Sequence, residues 1–193
     1  MNADKSLVST SKFLSLVLRH QPEVIGMKLD DEGWLDIDEL IDNANQRGNQ
    51  ISLELLHSVV ATNDKKRFAL SEDGLRIRAS QGHSVTGVDL KLEEKAPPQS
   101  LYHGTVAAFI ESIRSGGLQK RSRNHVHLSA DETTATKVGS RRGKPVILHV
   151  AAAAMHQDGH QFFLSANDVW LVDAVPTRYL TFPRYFPSRP SQS

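Results

Sequence analysis

The segment KLEEKAPPQS, residues 91–100, constrains the fold more than any other stretch of the chain. It combines charged residues with two prolines and shows no apolar periodicity, which is typical of a linker. A chain of 193 residues is long enough for two small lobes that each bury a core. We therefore predict a first lobe over residues 1–92, a second over residues 93–182, and a disordered end over residues 183–193.

The first lobe opens with a helical pattern that ends in the stretch LSLVLRHQPE. Ser9 or Thr10 is predicted to cap this helix. Because Pro22 disfavours helical geometry at the residue before it, Arg19 and His20 are predicted to occupy the last turn, where a helix carboxyl end favours cations. The residues of the inner face recur at spacings of three and four: Phe13, Leu16, Val17 and His20.

Two more helices and a hairpin follow in the first lobe. Asp36 and Glu39 form a capping-box signature at the start of the second helix, and Ser52 starts the third. The stretch RFALSEDGLRIRA alternates apolar residues with arginines around an Asp-Gly turn, which predicts a hairpin with one basic face. Helix, helix, helix, hairpin is the order of a winged-helix lobe.

Short strands and helices are mixed in the second lobe. LYHGT, HVHLS, PVILHV and VWLVDAV are predicted strands. One helix is predicted to end at Gly116 and Gly117, and another covers residues 131–138. The sequence therefore predicts an α+β protein.

The composition excludes several kinds of catalytic and metal site and indicates the cellular compartment of the protein. The chain has no cysteine, which excludes disulfides, thiolate metal sites and cysteine nucleophiles and fits a reducing compartment. No apolar core of signal-peptide length opens the sequence, and no run of eighteen apolar residues occurs. We therefore expect a cytoplasmic protein with no membrane partner, acting as a monomer.

The net charge of +1 hides an uneven distribution. Residues 1–95 carry 12 Lys/Arg and 16 Asp/Glu, whereas residues 96–193 carry 11 and 6. Seven of those eleven lie between Lys120 and Lys144. Such a cluster can hold a phosphorylated ligand, and the alternative is an ordinary solvated basic face.

One candidate set suits a phosphomonoester. Arginine forks match phosphate oxygens, and a histidine can donate a further hydrogen bond or transfer a proton. The alternative is that each residue is an independent surface cation, since nothing in the spacing forces them together. The set consists of Arg19, His20, Arg67 and Arg123.

A second candidate set is carried by the stretches YHGT and HVHLS. In a strand His125 and His127 point to the same side and could chelate zinc, but His103 offers no compelling spacing for a third ligand. Hydrogen-bonded structural histidines are the alternative. Gly104 would let the backbone approach a ligand closely. No G-x-G-x-x-G, P-loop or G-x-S-x-G motif appears, which disfavours Rossmann, P-loop and serine hydrolase sites.

At this point the sequence resembles the NAD-dependent RNA 2'-phosphotransferases of the KptA type. The stretches SKFLSLVLRHQPE, EGWLDIDEL, VVATNDKKRFAL, IRASQGHS, LYHGT, HVHLSADE, KVGSRRGKPVIL and NDVWLV look like the signatures of that family, in its order. They extend across about residues 10–182.

The resemblance implies a winged-helix amino-terminal lobe that binds the RNA phosphate and a second lobe of the ADP-ribosyltransferase fold that binds NAD. It implies removal of an internal 2'-phosphate from RNA, of the kind left at a tRNA splice junction. NAD is consumed as a co-substrate, and no metal is needed. The products are RNA with a 2'-hydroxyl, ADP-ribose 1'',2''-cyclic phosphate and nicotinamide, formed in two steps through an RNA-2'-phospho-ADP-ribose intermediate.

The resemblance also assigns the site residues. It implies that Arg19, His20, Arg67 and Arg123 act on the RNA phosphate. His103, Gly104 and Thr105 would hold the adenosine end of NAD, His127 and Ser129 would line its cleft, and Arg141 is a further candidate there. His103 and His127 look like two members of the transferase triad, whose third position falls near Asp168 or Val169, where many relatives of the wider fold have glutamate.

Two other functions are compatible with parts of the sequence. A winged-helix DNA-binding regulator would need base-reading side chains on its recognition helix, and SLELLHSVVA offers no Arg, Lys, Asn or Gln. An ADP-ribosyltransferase acting on a nucleic-acid terminal phosphate or on a protein would use the same arginines. Product analysis separates this last reaction from phosphate removal.

Overall fold

The computed structural model describes residues 2–183. Helices and strands are mixed along the chain, which confirms the predicted α+β class. The chain divides into two compact units, Met1–Leu92 (the first unit) and Glu93–Ser193 (the second unit). The end predicted to be disordered lies outside the described residues from position 184 onward. Within residues 2–183 no helix combines the length and apolar character needed to cross a membrane.

The first unit builds three helices and one small sheet from its described residues. Its elements are α1 (Asn2–Val17), a 3₁₀ turn (Pro22–Ile25), β1 (Trp34–Asp36), α2 (Ile37–Gln46), α3 (Leu53–Ala61), β2 (Phe68–Leu70) and β3 (Arg76–Ala79). The sheet is antiparallel in the order β1-β3-β2. Its core is formed by residues such as Leu14, Leu18, Leu40, Leu56 and Ile77, each fully buried.

Local capping signals start two of these helices as the sequence predicts. Asp36 Oδ1 accepts a hydrogen bond from the Glu39 backbone N–H at 3.0 Å, and Ser52 Oγ accepts from the Leu55 N–H at 3.2 Å. The cap predicted at Ser9 or Thr10 is wrong: α1 begins earlier, and Thr10 is buried inside it.

The predicted hairpin forms, with Phe68 opposite Ala79 and Leu70 opposite Ile77. The sequence did not predict β1, which pairs with the far side of β3. Trp34 on β1 lies beneath the hairpin arginines, with the guanidinium carbon of Arg78 4.4 Å from its ring centroid.

The second unit contains short strands arranged in three sheets. Its elements are β4 (Leu101–Val106), a 3₁₀ turn (Ala107–Phe109), α4 (Ile110–Gly116), β5 (Leu118–Gln119), β6 (Val126–Leu128), α5 (Glu132–Gly139), a 3₁₀ turn (Ser140–Arg142), β7 (Pro145–Val150), α6 (Ala152–Gln157), β8 (Phe163–Leu164), β9 (Trp170–Val172), β10 (Ala174–Val175), a 3₁₀ turn (Thr177–Tyr179) and β11 (Leu180–Thr181). The sheet orders are β11-β7-β4, β6-β9-β8 and β10-β5, all antiparallel. A backbone bridge between Tyr102 and Ser129 connects β4 to the end of β6.

Helix α5 packs tightly against β4 at a pair of glycines. A Cβ atom on Gly104 would lie 1.9 Å from the Ala135 carbonyl oxygen, and one on Gly139 would lie 3.2 Å from the Gly104 carbonyl carbon. The sequence analysis expected a ligand to approach the backbone at Gly104, whereas the group that occupies the place of its side chain is the backbone of α5.

The predicted linker is partly structured. The Lys95 N–H donates to the Phe162 carbonyl at 2.8 Å, and Glu94 forms an isolated bridge with Phe163. This half of KLEEKAPPQS therefore belongs to the second unit rather than to a free connection.

Candidate active site

Arg19 and His20 lie in one extra turn at the end of α1. The His20 N–H donates to the Leu16 carbonyl at 2.9 Å, so helical hydrogen bonding continues past Val17 until Pro22 ends it. His20 is exposed and Arg19 is half-buried. The helix end therefore exposes His20, which was predicted on the inner face, whereas Nε and Nη2 of Arg19 are buried in the first unit.

Ser84 fixes this pair from a distant part of the sequence. Its N–H donates to the Arg19 carbonyl at 2.8 Å, and its Oγ lies 2.8 Å from His20 Nδ1. Because Ser84 Oγ also donates to the Arg19 carbonyl at 3.5 Å, it accepts a hydrogen bond from the Nδ1–H of His20. The contact with Ser84 therefore engages Nδ1 of His20 rather than Nε2. The stretch IRASQGHS contains Ser84, but its spacing gave no sign of this contact.

His83 lies buried beside the same pair, with 2% of its surface exposed. Burial, followed by the charges of Arg19, His20 and Arg78, lowers its pKa to about 4. The ring is therefore neutral near pH 7. Gly33 makes room for it, since a Cβ there would lie 3.0 Å from His83 Nε2.

Arg67 lies just before β2 and is half-buried. Its Nη1 donates to Asn63 Oδ1 at 3.2 Å, and its carbonyl accepts from the Ser80 N–H at 2.8 Å. The preceding Lys66 has a φ of 41°, so the chain turns sharply before the strand. These bonds fix the direction of the Arg67 side chain at the edge of the hairpin.

Three predicted residues form a hydrogen-bonded chain in the second unit. Arg123 Nη1 lies 3.1 Å from His127 Nδ1, and His103 Nδ1 lies 3.0 Å from the His127 carbonyl. Since guanidinium only donates and a carbonyl only accepts, His127 carries its proton on Nε2 and His103 carries its proton on Nδ1. Nε2 of His103 is then a lone-pair acceptor.

Burial and neighbouring arginines lower the pKa values of two members of this chain, His103 and Arg123. Desolvation lowers the pKa of His103 more than its bond to the His127 carbonyl raises it, and Arg123 and Arg142 lower it as well. Desolvation also lowers the pKa of Arg123, followed by the charges of Arg142 and Arg141. The three arginines therefore form one cationic group around the histidines, and Arg141 belongs to it.

The other predicted residues of the second unit lie nearby in different settings. Thr105 is buried on β4, while Ser129 is half-buried and pairs with Tyr102 through both backbone bonds, at 2.8 and 2.9 Å. Asp168 is exposed in a turn with a φ of 58°, and Val169 is held by a bond from its N–H to Ser165 Oγ at 3.0 Å. Which of Asp168 and Val169 fills the third triad position stays a prediction.

His125 and His127, predicted to point to the same side of a strand, each contact a different neighbour. The His125 ring packs against Phe163 at a centroid distance of 5.8 Å, whereas His127 contacts Arg123. Over residues 2–183 no three His, Asp or Glu side chains are grouped as metal ligands.

The sequence of the chain is similar to those of known proteins along most of its length. The chain is 75% identical over 183 residues to a probable RNA 2'-phosphotransferase of Rhodopirellula baltica, covering 95% of this chain and 100% of that protein. A protein of the same description from Flavobacterium johnsoniae is 59% identical over 174 residues, covering 90% and 95%. One from Hahella chejuensis is 58% identical over 178 residues, covering 92% and 95%. A family model matches residues 5–174, and the chain belongs to the RNA 2'-phosphotransferase, Tpt1 / KptA family.

Proposed function

We propose that the protein removes an internal 2'-phosphate from RNA, of the tRNA splice-junction type, by transferring it to NAD in the cytoplasm. The reaction gives 2'-hydroxyl RNA, ADP-ribose 1'',2''-cyclic phosphate and nicotinamide. The Arg123–His127–His103 chain carries the proposal, because it groups a guanidinium fork with two neutral histidines among further arginines. The family match supports the RNA phosphate as the group transferred.

In the first unit, Arg19, His20 and Arg67 bind the RNA 2'-phosphate. Their donors match its oxygens, and the contacts with Ser84 and Asn63 hold His20 and Arg67 in fixed orientations. Arg123, in the second unit, also carries a guanidinium whose donors match phosphate oxygens. Binding by several arginines reduces the nucleophilicity of the phosphate, and fixing its position compensates for this loss.

The residues of the second unit suit the diphosphate and adenosine of NAD. Arg141 and its neighbours supply positive charge for the diphosphate, and Nε2 of His103 can accept a hydrogen bond from a ribose hydroxyl. Thr105, His127 and Ser129 complete this set, together with the backbone of Gly104. NAD supplies the ribose carbon that accepts the phosphate and nicotinamide as the leaving group.

The chemistry takes two steps. A 2'-phosphate oxygen of the RNA attacks the ribose carbon that bears nicotinamide, the bond from that carbon to nitrogen breaks, and RNA-2'-phospho-ADP-ribose forms. The adjacent ribose 2''-hydroxyl then attacks phosphorus, and the bond from phosphorus to the RNA 2'-oxygen breaks. The arginines stabilise charge on the phosphoryl oxygens. His20, with protons on both ring nitrogens, gives its Nε2 proton to the departing RNA oxygen, and the proton of the attacking 2''-hydroxyl passes to solvent, from which His20 is protonated again.

A carboxylate at the third triad position is not required for this acceptor. A phosphate is already an anion near pH 7, whereas a neutral hydroxyl acceptor needs a base to activate it. This chemistry holds whether Asp168 or Val169 occupies that position.

The test mixes the purified protein with NAD and a short RNA that carries one internal 2'-phosphate, and follows RNA mass and small products together. Loss of the phosphate with formation of the cyclic phosphate supports both steps. NAD-independent loss would indicate a phosphatase, and ADP-ribose that stays on the RNA would indicate an ADP-ribosyltransferase.

A further inference from the structure

A groove of about 390 Å³ runs along the first unit beside α1. One wall is the exposed side of α1, and the other is the segment that follows α3 and leads into β2. The groove is lined by Leu7, Val8, Ser11, Lys12, Ser15, Val59, Thr62, Asn63, Asp64, Lys65 and Arg67.

The groove is continuous with the residues assigned to the RNA phosphate. Arg67 is itself part of the lining. Lys12, Ser15 and Arg19 follow one another at spacings of three and four on α1 and its extra turn, so they share one face of the helix. A chain lying in the groove is therefore directed toward Arg19 as well as Arg67.

The charge of the groove is opposite to that of the unit around it. Residues 1–92 carry 11 Lys/Arg and 14 Asp/Glu, so the first unit is acidic as a whole. The groove has three cations, Lys12, Lys65 and Arg67, and one carboxylate, Asp64. This local excess of positive charge suits a polyanion.

The uncharged lining suits nucleotides. Ser15 Oγ donates to the Ser11 carbonyl at 2.8 Å, and Thr62 Oγ1 donates to the Ser58 carbonyl at 2.6 Å. Because each hydroxyl already donates a hydrogen bond to a backbone carbonyl, its oxygen can accept one from a donor such as the ribose 2'-hydroxyl of RNA. The side chain of Val8, with 56% of the residue exposed, offers an apolar surface to a base.

We propose that this groove binds the single-stranded RNA that flanks the 2'-phosphate. The proposal rests on the proposed function and adds a second contact region for the same substrate. The rate of phosphate removal then depends on RNA length. Nucleotides outside the 2'-phosphorylated dinucleotide contact Lys12 and Lys65, and the dinucleotide alone lacks these contacts.

The test compares three substrates that share one 2'-phosphorylated dinucleotide core: the core alone, the core extended by four nucleotides on its 5' side, and the core extended on its 3' side. Each is assayed with wild type, Lys12→Glu, and Lys28→Glu as the control. Lys28 is an exposed lysine of the same unit outside the groove. We expect one extension to raise kcat/KM about tenfold in wild type and control, and Lys12→Glu to lose most of that gain. An extension effect that is equal in all three proteins overturns the proposal.

Direct binding of the extended RNA without NAD separates this proposal from the proposed function. Lys12→Ala is expected to reduce the slope of log affinity against log salt by about 0.7, the value for one contact with a single-stranded phosphate. If the wild type removes no phosphate from any substrate, the proposed function is wrong. The salt dependence of binding by wild type and Lys12→Ala still shows whether the groove binds RNA. An unchanged slope contradicts the groove as an RNA site.

Discussion

His20 Nδ1 and Ser84 Oγ lie 2.8 Å apart, although 64 positions separate the two residues in the sequence. The contact holds the ring of His20 through Nδ1 rather than through Nε2. A free imidazole at a helix end would sample several rotamers, and only some of them would present Nε2 to a departing oxygen.

Ser84→Ala is expected to lower kcat about tenfold, because His20 loses the partner that fixes its orientation and tautomer. Ser84→Thr keeps the hydroxyl and should retain most activity. Steady-state kinetics over a range of RNA concentrations separates kcat from KM. Equal kcat values for the alanine and threonine variants would show that the hydroxyl does not position His20.

His20→Ala and Arg67→Ala are expected to abolish phosphate removal while folding normally, since neither side chain belongs to the apolar core of the first unit. Activity and urea unfolding measured on the same preparations test both parts of this expectation. Turnover at the wild-type rate in either variant contradicts the site assignment.

Arg123→Lys is expected to lower kcat/KM by about tenfold or more, because a lone ammonium cannot contact His127 and a phosphate with the same planar fork. Arg121→Lys is the matched control, since Arg121 is an exposed arginine two positions away. Indistinguishable kinetics for the two variants would mean that Arg123 does not contact the phosphate.

His83 makes the stability of the protein depend on pH. Its pKa is about 4 in the folded chain and about 6.5 for an unperturbed histidine, so the unfolded state binds more protons between those limits. Stability therefore falls as pH drops from about 6.5 to 4, by about 3 kcal/mol from this group. Urea unfolding of wild type and His83→Gln at pH 7 and pH 4.5 measures this, and the variant should lose less stability on acidification. An equal loss in both proteins contradicts a neutral buried His83.

Gly104→Ala is expected to destabilise the protein by about 3 kcal/mol or more, because its methyl group would overlap the Ala135 carbonyl oxygen. Gly116→Ala is the control, since nothing lies within 4 Å of the place its Cβ would take. Thermal unfolding of both variants tests the expectation. A tolerated Gly104→Ala would show that α5 can move away from β4.

Short-range signals in the sequence predicted the elements that depend on neighbouring residues. Asp36 and Ser52 cap helices because the accepting side chain and the donating N–H are three positions apart. The Asp-Gly turn sets the register of the hairpin for the same reason. Strands of two residues, such as β5 and β8, carry too little periodicity to be predicted.

Contacts over long sequence distances could not be predicted in this way. The bond between His103 and the His127 carbonyl depends on the bridge between Tyr102 and Ser129, which no local pattern encodes. Gly104 illustrates the same limit. Its presence indicates that something approaches the backbone, but only the tertiary structure shows that α5 does so.

The hydrogen bond from the Ser84 N–H to the Arg19 carbonyl also has a consequence for synthesis and folding. Arg19 leaves the ribosome before its partner, which is made 65 positions later. A nascent chain that ends before Ser84 can form α1 but cannot fix Arg19 and His20 as in the folded protein. Arg19 and His20 therefore reach their folded geometry only when the synthesis of the first unit is nearly complete.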